Sequence, residues 1–113
     1  MRRRYIAVKI KRENLDERSK TLSRGALWEA VWTNLIQLYG EYGASQADLS
    51  LIEYNPNKSY AIFRCSHKAL DTVRTTISAV TKIGGLRLAL HILYVSGTLK
   101  ALKRRLMEDE KKL

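Results

Sequence analysis

At 113 residues and 13.0 kDa the chain is the size of one domain, expected to span residues 1–113. Its 45% hydrophobic content supports a real core, no run reaches the roughly 18 apolar residues of a membrane span, and a single cysteine excludes an internal disulfide. The charge is lopsided: 21 Lys and Arg against 11 Asp and Glu give +10, which points to a polyanionic partner, nucleic acid above all, rather than to a solvated basic surface that merely maintains solubility.

The first predicted element is a strand over Tyr5–Lys11, with Ile6, Val8 and Ile10 toward the core and Tyr5, Ala7, Lys9 and Lys11 on the opposite face. The N-terminus is basic, but no apolar signal segment follows it. Arg12–Lys20 is charged and aperiodic, so it is expected to be a loop or a frayed turn.

Ser23 is a suitable N-cap for a long helix, with Leu22 and Leu27 spaced as a hydrophobic staple. Leu27, Val31, Leu35 and Leu38 form one apolar stripe, and Trp28, Trp32, Ile36 and Tyr39 a second beside it. The second stripe serves either packing within the chain or a protein interface, in which Trp28, Trp32 and Tyr39 are the candidate contacts. Gly40 and Gly43 are expected to end this helix.

Ala47–Tyr54 and Ser59–Cys65 read as two strands of a hairpin turned by Asn55-Pro56-Asn57-Lys58. Ser66 is the expected cap of a second helix, whose core face is Leu70, Val73, Ile77 and Val80 and whose end is Gly84-Gly85. The last strand starts at Leu86. Leu86, Leu88, Leu90, Ile92 and Tyr94 alternate with Arg87, Ala89, His91, Leu93 and Val95, and both series are apolar enough to predict cover on both faces.

At Ser96-Gly97-Thr98 the period changes to that of a helix, for which Ser96 or Thr98 is the candidate cap, with Leu99, Leu102 and Leu106 on one side and Lys100, Lys103, Arg104 and Arg105 on another. The order βαββαβ plus this basic C-terminal helix predicts an α+β, ferredoxin-like or RRM-like sandwich: a four-stranded antiparallel sheet with two helices on one face.

No catalytic constellation emerges. Cys65, His67 and His91 lack the paired spacing of a zinc site, and the acids are scattered over several elements. No catalytic residue and no metal ligand is therefore assigned. Lys58–Cys65 partly follows the RNA-recognition signature K/R-G-F/Y-G/A-F-V-x-F/Y, but Ser59 replaces its glycine, and Ile62 and Cys65 stand where two stacking aromatics belong. Binding through phosphates is expected instead. The candidate contacts are Arg2, Arg3, Arg4, Lys9, Lys11 and Arg12, then Lys58 and Arg64, then Lys100, Lys103, Arg104 and Arg105. Arg2–Arg4 precede the first strand and are expected to act as a flexible tether, whereas the helix cations are held in place by the leucines beneath them.

Five segments together, Arg4–Ile10 (RYIAVKI), Glu41–Ala44 (EYGA) with Leu51–Tyr54 (LIEY), Ile62–Cys65 (IFRC) and Tyr94–Lys103 (YVSGTLKALK), resemble the archaeal ribonuclease P protein component 2 family, relatives of a protein shared by eukaryotic ribonuclease P and MRP. The resemblance implies an accessory subunit of the ribonucleoprotein that removes 5′ leaders from precursor tRNA. The RNA subunit would perform the hydrolysis with its own Mg²⁺, the protein holding no cofactor. It further implies ribonuclease P RNA and precursor tRNA as partners, a TIM-barrel-like protein subunit, a dimer of heterodimers, and an archaeal cytoplasm. A free-standing RRM-like module is the alternative.

Overall fold

A computed structural model describes residues 2–13 and 22–111. The elements are β1 (Arg3–Arg12), α1 (Arg24–Gln46), β2 (Ser50–Asn55), β3 (Tyr60–Ser66), α2 (Leu70–Ser78), β4 (Lys82–Ile83), β5 (Leu86–Ser96) and α3 (Leu99–Lys111). The fold is α+β and roughly ferredoxin-like. The sheet, however, has five antiparallel strands in the order β2-β3-β1-β5-β4, not four.

The extra strand explains a misreading of Gly84-Gly85. Both have positive φ (55° and 86°), the conformation a two-residue hairpin turn demands, and they join β4 to β5 through the pairs Lys82↔Arg87 and Ile83↔Leu86. They do not terminate α2, which ends at Ser78. Ser66 is not a side-chain cap either: its Oγ donates to the Gln46 carbonyl, and a 3₁₀ turn over His67–Ala69 precedes α2.

The start of α1 follows the local chemistry. Ser23 Oγ accepts from the Ala26 amide at 3.1 Å, and Leu22 and Leu27 are both buried in the main core. Its end does not. Gly40 breaks the helix (φ 76°, ψ 170°), but the chain resumes helical turns to Gln46 and returns Ala44 to the core. Leu38 is consequently not a core residue; it lies past Leu35, the last buried position of the straight segment, and is 49% exposed.

The main core lies between the sheet and α1 with α2. It is filled by Ile6, Val8 and Ile10 of β1, Ala61, Phe63 and Cys65 of β3, Leu88 and Leu90 of β5, and the helix residues Leu27, Val31, Leu35, Val73 and Ile77. Asn34 Nδ2 donates to the Thr76 carbonyl at 2.9 Å and so fixes α1 against α2.

The opposite face of the sheet carries a second, smaller core, in which Leu102 of α3 is fully buried against Ala7 and Ile62, with Leu99, Leu106, Tyr5, Ile52, Tyr60 and Tyr94 around them. A β-bulge at Leu93 makes this possible. Ala7 pairs with Tyr94 but Val8 with Ile92, so the facing of β5 inverts: Ile92 and Val95 meet the main core and Tyr94 meets α3. The simple alternation from Leu86 to Tyr94 therefore fails after Ile92. Nor is β5 covered on both faces throughout, since Arg87 and His91 are exposed. Most of the expected Arg12–Lys20 loop lies outside the described residues, although Arg12 itself closes β1.

Candidate nucleic-acid interface

α3 is the organising element of the basic face. Thr98 Oγ1 accepts from the Ala101 amide and Ser96 Oγ from the Thr98 amide, both at 3.2 Å, so the helix is capped where β5 ends. Two polar clamps fix its lateral position. Lys103 Nζ lies 2.9 Å from Glu53 Oε1 on β2, while Tyr60 Oη donates to Glu53 Oε2 at 2.7 Å. On the other side Tyr94 donates its hydroxyl proton to Asp109 Oδ2, and the Arg105 guanidinium sits 4.4 Å from the Tyr94 ring centroid.

The electrostatics follow the same geometry. The hydrogen bond from Lys103, then that from Tyr60, holds the Glu53 carboxyl below the ordinary carboxylate range. In return the Glu53 carboxylate raises both the Lys103 ammonium and the Tyr60 hydroxyl, and Asp109 raises the Tyr94 hydroxyl. Lys103 and Arg105 are thus engaged in holding the helix, whereas Lys100 and Arg104 lie exposed on its outer surface.

The N-terminal cations are not a tether. Arg3 and Arg4 are strand residues paired with Ser66 and Cys65, and the Arg2 carbonyl accepts from the His67 amide at 2.9 Å. Arg3 is ion-paired with Asp48 at 3.4 Å, and Arg4 donates to the Arg3 carbonyl. The tether reading failed because the β3 ladder continues through Ser66, so the start of β1 is already hydrogen-bonded. Arg64 lies opposite Tyr5 and reaches toward Ser50 Oγ at 3.5 Å, with its buried Nε unpartnered among the described residues. Lys11 is exposed and Arg12 half-buried at the far end of β1.

Lys9, Lys58 and Lys103, far apart in sequence, line one open groove of about 1130 Å³. It lies under the second half of α3, and Lys9 Nζ donates to the Lys58 carbonyl at its edge. Its apolar lining is Tyr60, Leu93, Leu106 and Met107. Sequence reasoning did not assign Glu53, Leu93, Met107 or Asp109 to any site. A legible signal existed for Leu93, an apolar residue in the series that also holds Arg87 and His91, and for Met107, adjacent to the leucine stripe. None existed for Glu53, whose partner is fifty residues away.

The RNA-recognition signature has a structural answer. Ile62 lies beneath Leu102, and Cys65 faces the main core, so neither presents a stacking surface. Burial pushes the Cys65 thiol up to about 11, which keeps it protonated and poorly nucleophilic. Among the described residues no three His, Cys, Asp or Glu side chains gather as a metal site, and no helix is long and apolar enough to cross a membrane.

On the opposite side of the molecule, Trp28 and Trp32 stack at 5.6 Å and 14° and pack, half-buried, against the main core. Tyr39 is exposed, and the residues beside it are more so: Leu38, and Tyr42 at 79%. The exposed large apolar side chains of α1 are thus Leu38, Tyr39 and Tyr42, around the Gly40 break, rather than the tryptophans.

Comparison with known proteins agrees along nearly the whole chain. The family model of the Rpp14/Pop5 family matches residues 4–107. Ribonuclease P protein component 2 of Archaeoglobus fulgidus is 38% identical over 108 residues, 95% of this chain and 90% of that protein. The protein of the same name from Pyrococcus furiosus is 30% identical over 108 residues, 96% of this chain and 85% of its own length. A chain in the cryo-EM structure of yeast Ribonuclease MRP shares the fold, with a TM-score of 0.74 over 98% of this chain and 92% of that one, at 18% identity. With a family model covering all but the chain ends and relatives of 30% identity or more at nearly full length, the chain belongs to the Rpp14/Pop5 family.

Proposed function

We propose that this chain is a protein subunit of the ribonuclease P ribonucleoprotein, supporting the catalytic RNA that removes 5′ leaders from precursor tRNA. The observation that carries the reading is the near-complete match to proteins named ribonuclease P protein component 2. The geometry supports association with RNA: the chain presents a positively charged, helix-borne surface. In this reading hydrolysis belongs to the RNA and its Mg²⁺. The protein contributes phosphate contacts from Lys100 and Arg104 on α3 and from the β1 cations, in an archaeal cytoplasm.

The same reading gives Leu38, Tyr39 and Tyr42 to a protein partner, a TIM-barrel-like subunit, with two such pairs joining as a dimer of heterodimers. Trp28 and Trp32 then act beneath the interface by stiffening α1. A free-standing RRM-like module is disfavoured, because α3 covers the face on which such a module stacks its bases.

The test is reconstitution. Ribonuclease P RNA and the remaining protein subunits are assembled with and without this chain, and 5′-leader removal from precursor tRNA is measured at limiting Mg²⁺. Omission is expected to slow cleavage, and the chain alone is expected to cleave nothing. Unchanged cleavage on omission, or Mg²⁺-dependent cleavage by RNA-free protein, would overturn the proposal.

A further inference from the structure

The groove under the second half of α3 combines features that the phosphate-contact reading does not use. Leu93 and Met107 are 40% and 59% exposed and line the same groove, leaving apolar surface open to water there. The lining carries three lysines, Lys9, Lys58 and Lys103, against two carboxylates, Glu53 and Asp109. An apolar wall beside ammonium groups suits a ligand that is flat and apolar at one end and anionic at the other.

The carboxylates narrow the choice further. Glu53 is held as an anion by Lys103 and Tyr60, and Asp109 accepts from Tyr94. A carboxylate has about four acceptor sites, so both keep capacity to receive an N–H from the exocyclic amine or ring imino group of a base. An acidic peptide offers carboxylates where the groove already has two, and repulsion disfavours it. A nucleotide offers donors on its base edge and negative charge only on its phosphate.

We propose that this groove holds one unpaired nucleotide of a bound RNA, its base against Tyr60, Leu93 and Met107 and its phosphate toward Lys9 and Lys58. This deepens the ribonucleoprotein reading and rests on it: the protein would recognise a bulged or flipped base as well as the phosphates around it. The shape follows from the fold. Leu99 and Leu102 seat the first half of α3 on the sheet, while the second half, carrying Met107, roofs the groove over Lys9 and Tyr60.

The experiment uses two RNA hairpins that differ only by a single-nucleotide bulge, titrated with the full chain at fixed salt. The wild type should bind the bulged hairpin at least about fivefold more tightly, the lower end expected for packing one base against side chains. The Leu93→Ala/Met107→Ala double variant should reduce that preference to less than about twofold while keeping its affinity for the fully paired hairpin, which senses phosphates alone. Should the double variant fold poorly, Met107→Ala alone, on an exposed helix position, must still lower the preference.

Equal binding of the two hairpins by the wild type, or a preference that survives in the variants, overturns the pocket but leaves RNA association standing. Failure to bind either hairpin at low salt overturns both. Displacement from the groove by an acidic amphipathic peptide but not by the bulged hairpin assigns it to a protein partner and overturns the proposal.

Discussion

The two faces of the sheet are closed by different means. On one face α1 and α2 bury a continuous apolar core running from Leu27 through Phe63 to Leu90. On the other, α3 buries Leu102 fully, with Leu99 and Leu106 partly covered, and relies on Lys103–Glu53 and Tyr94–Asp109 to hold its flanks. The first face is sealed by area, which is non-directional and strong. The second is sealed by a small core and polar clamps, which are directional and weak at a surface. Stability therefore belongs mainly to the first face, and the placement of the cations belongs to the second.

The sharpest way to break this comparison is to truncate a side chain on each face. Phe63→Ala should cost about 3–5 kcal/mol and lower the melting temperature of the whole chain. Leu102→Ala should cost less, about 2–3 kcal/mol, at the low end for buried leucine because one side of its site can close as α3 shifts. Hydrogen exchange should show the second loss first in the α3 amides, and the first in every strand. If the two variants lose protection in the same order over the same residues, the faces form one cooperative unit and the distinction fails.

A second pair of predictions compares the outer surfaces. Tyr42→Ala should leave the melting temperature within the error of a surface change, yet weaken binding to the protein partner by about 2 kcal/mol if Tyr42 is a central contact. Trp32→Ala should lower both, because its ring is packed against Trp28 and the core. On the α3 surface, Lys100→Gln with Arg104→Gln should reduce the salt slope of RNA binding by about 1–2 log units, at 0.7–0.9 per phosphate contact. Adding Lys103→Gln should reduce it by less than either, since that ammonium is already paired with Glu53. Equal effects from all three lysine and arginine changes would show that RNA displaces the ion pair.

The smallest expected effect is pH-dependent. The folded pKa of Glu53 is depressed below its unfolded value, so its contribution is present above the unfolded pKa of about 4.3 and is lost as pH falls through the folded one. Because the carboxyl is a third exposed, it should amount to less than about 1 kcal/mol. Glu53→Gln should therefore melt slightly below the wild type at pH 7, and the gap should narrow as pH falls below the unfolded pKa of about 4.3. A gap that does not narrow with falling pH would assign the effect to packing.

Much of this was legible one residue at a time. Ser23 and Thr98 start their helices because a hydroxyl oxygen in that position satisfies an amide a few residues on, a local bond that needs no distant partner. Ile6, Val8 and Ile10 face the core because a strand has a period of two. The terminal-helix leucines meet the sheet as their spacing requires, and Ile62 and Cys65, which stand where the signature has aromatics, are both buried, one under α3 and the other in the main core.

Other readings failed for identifiable reasons. Gly84-Gly85 signals positive φ equally well at a helix end and in a hairpin, and only the β4–β5 pairing distinguishes them. Strict alternation failed on β5 because a bulge is a property of two strands in register, not of either sequence alone. Arg3 and Arg4 read as a flexible end because their partners, Ser66 and Cys65, lie sixty residues away.

The sequence by itself determined the charge, the local caps, the periodicity and the family likeness, since each is carried by residues close in the chain or by the order of motifs along it. Only the tertiary structure decided which cations are exposed, which are spent on holding α3, and that Lys9, Lys58 and Lys103 share a groove with Leu93 and Met107. Those are distances between residues far apart in sequence, and they are set by strand register and by how α3 lies across the sheet.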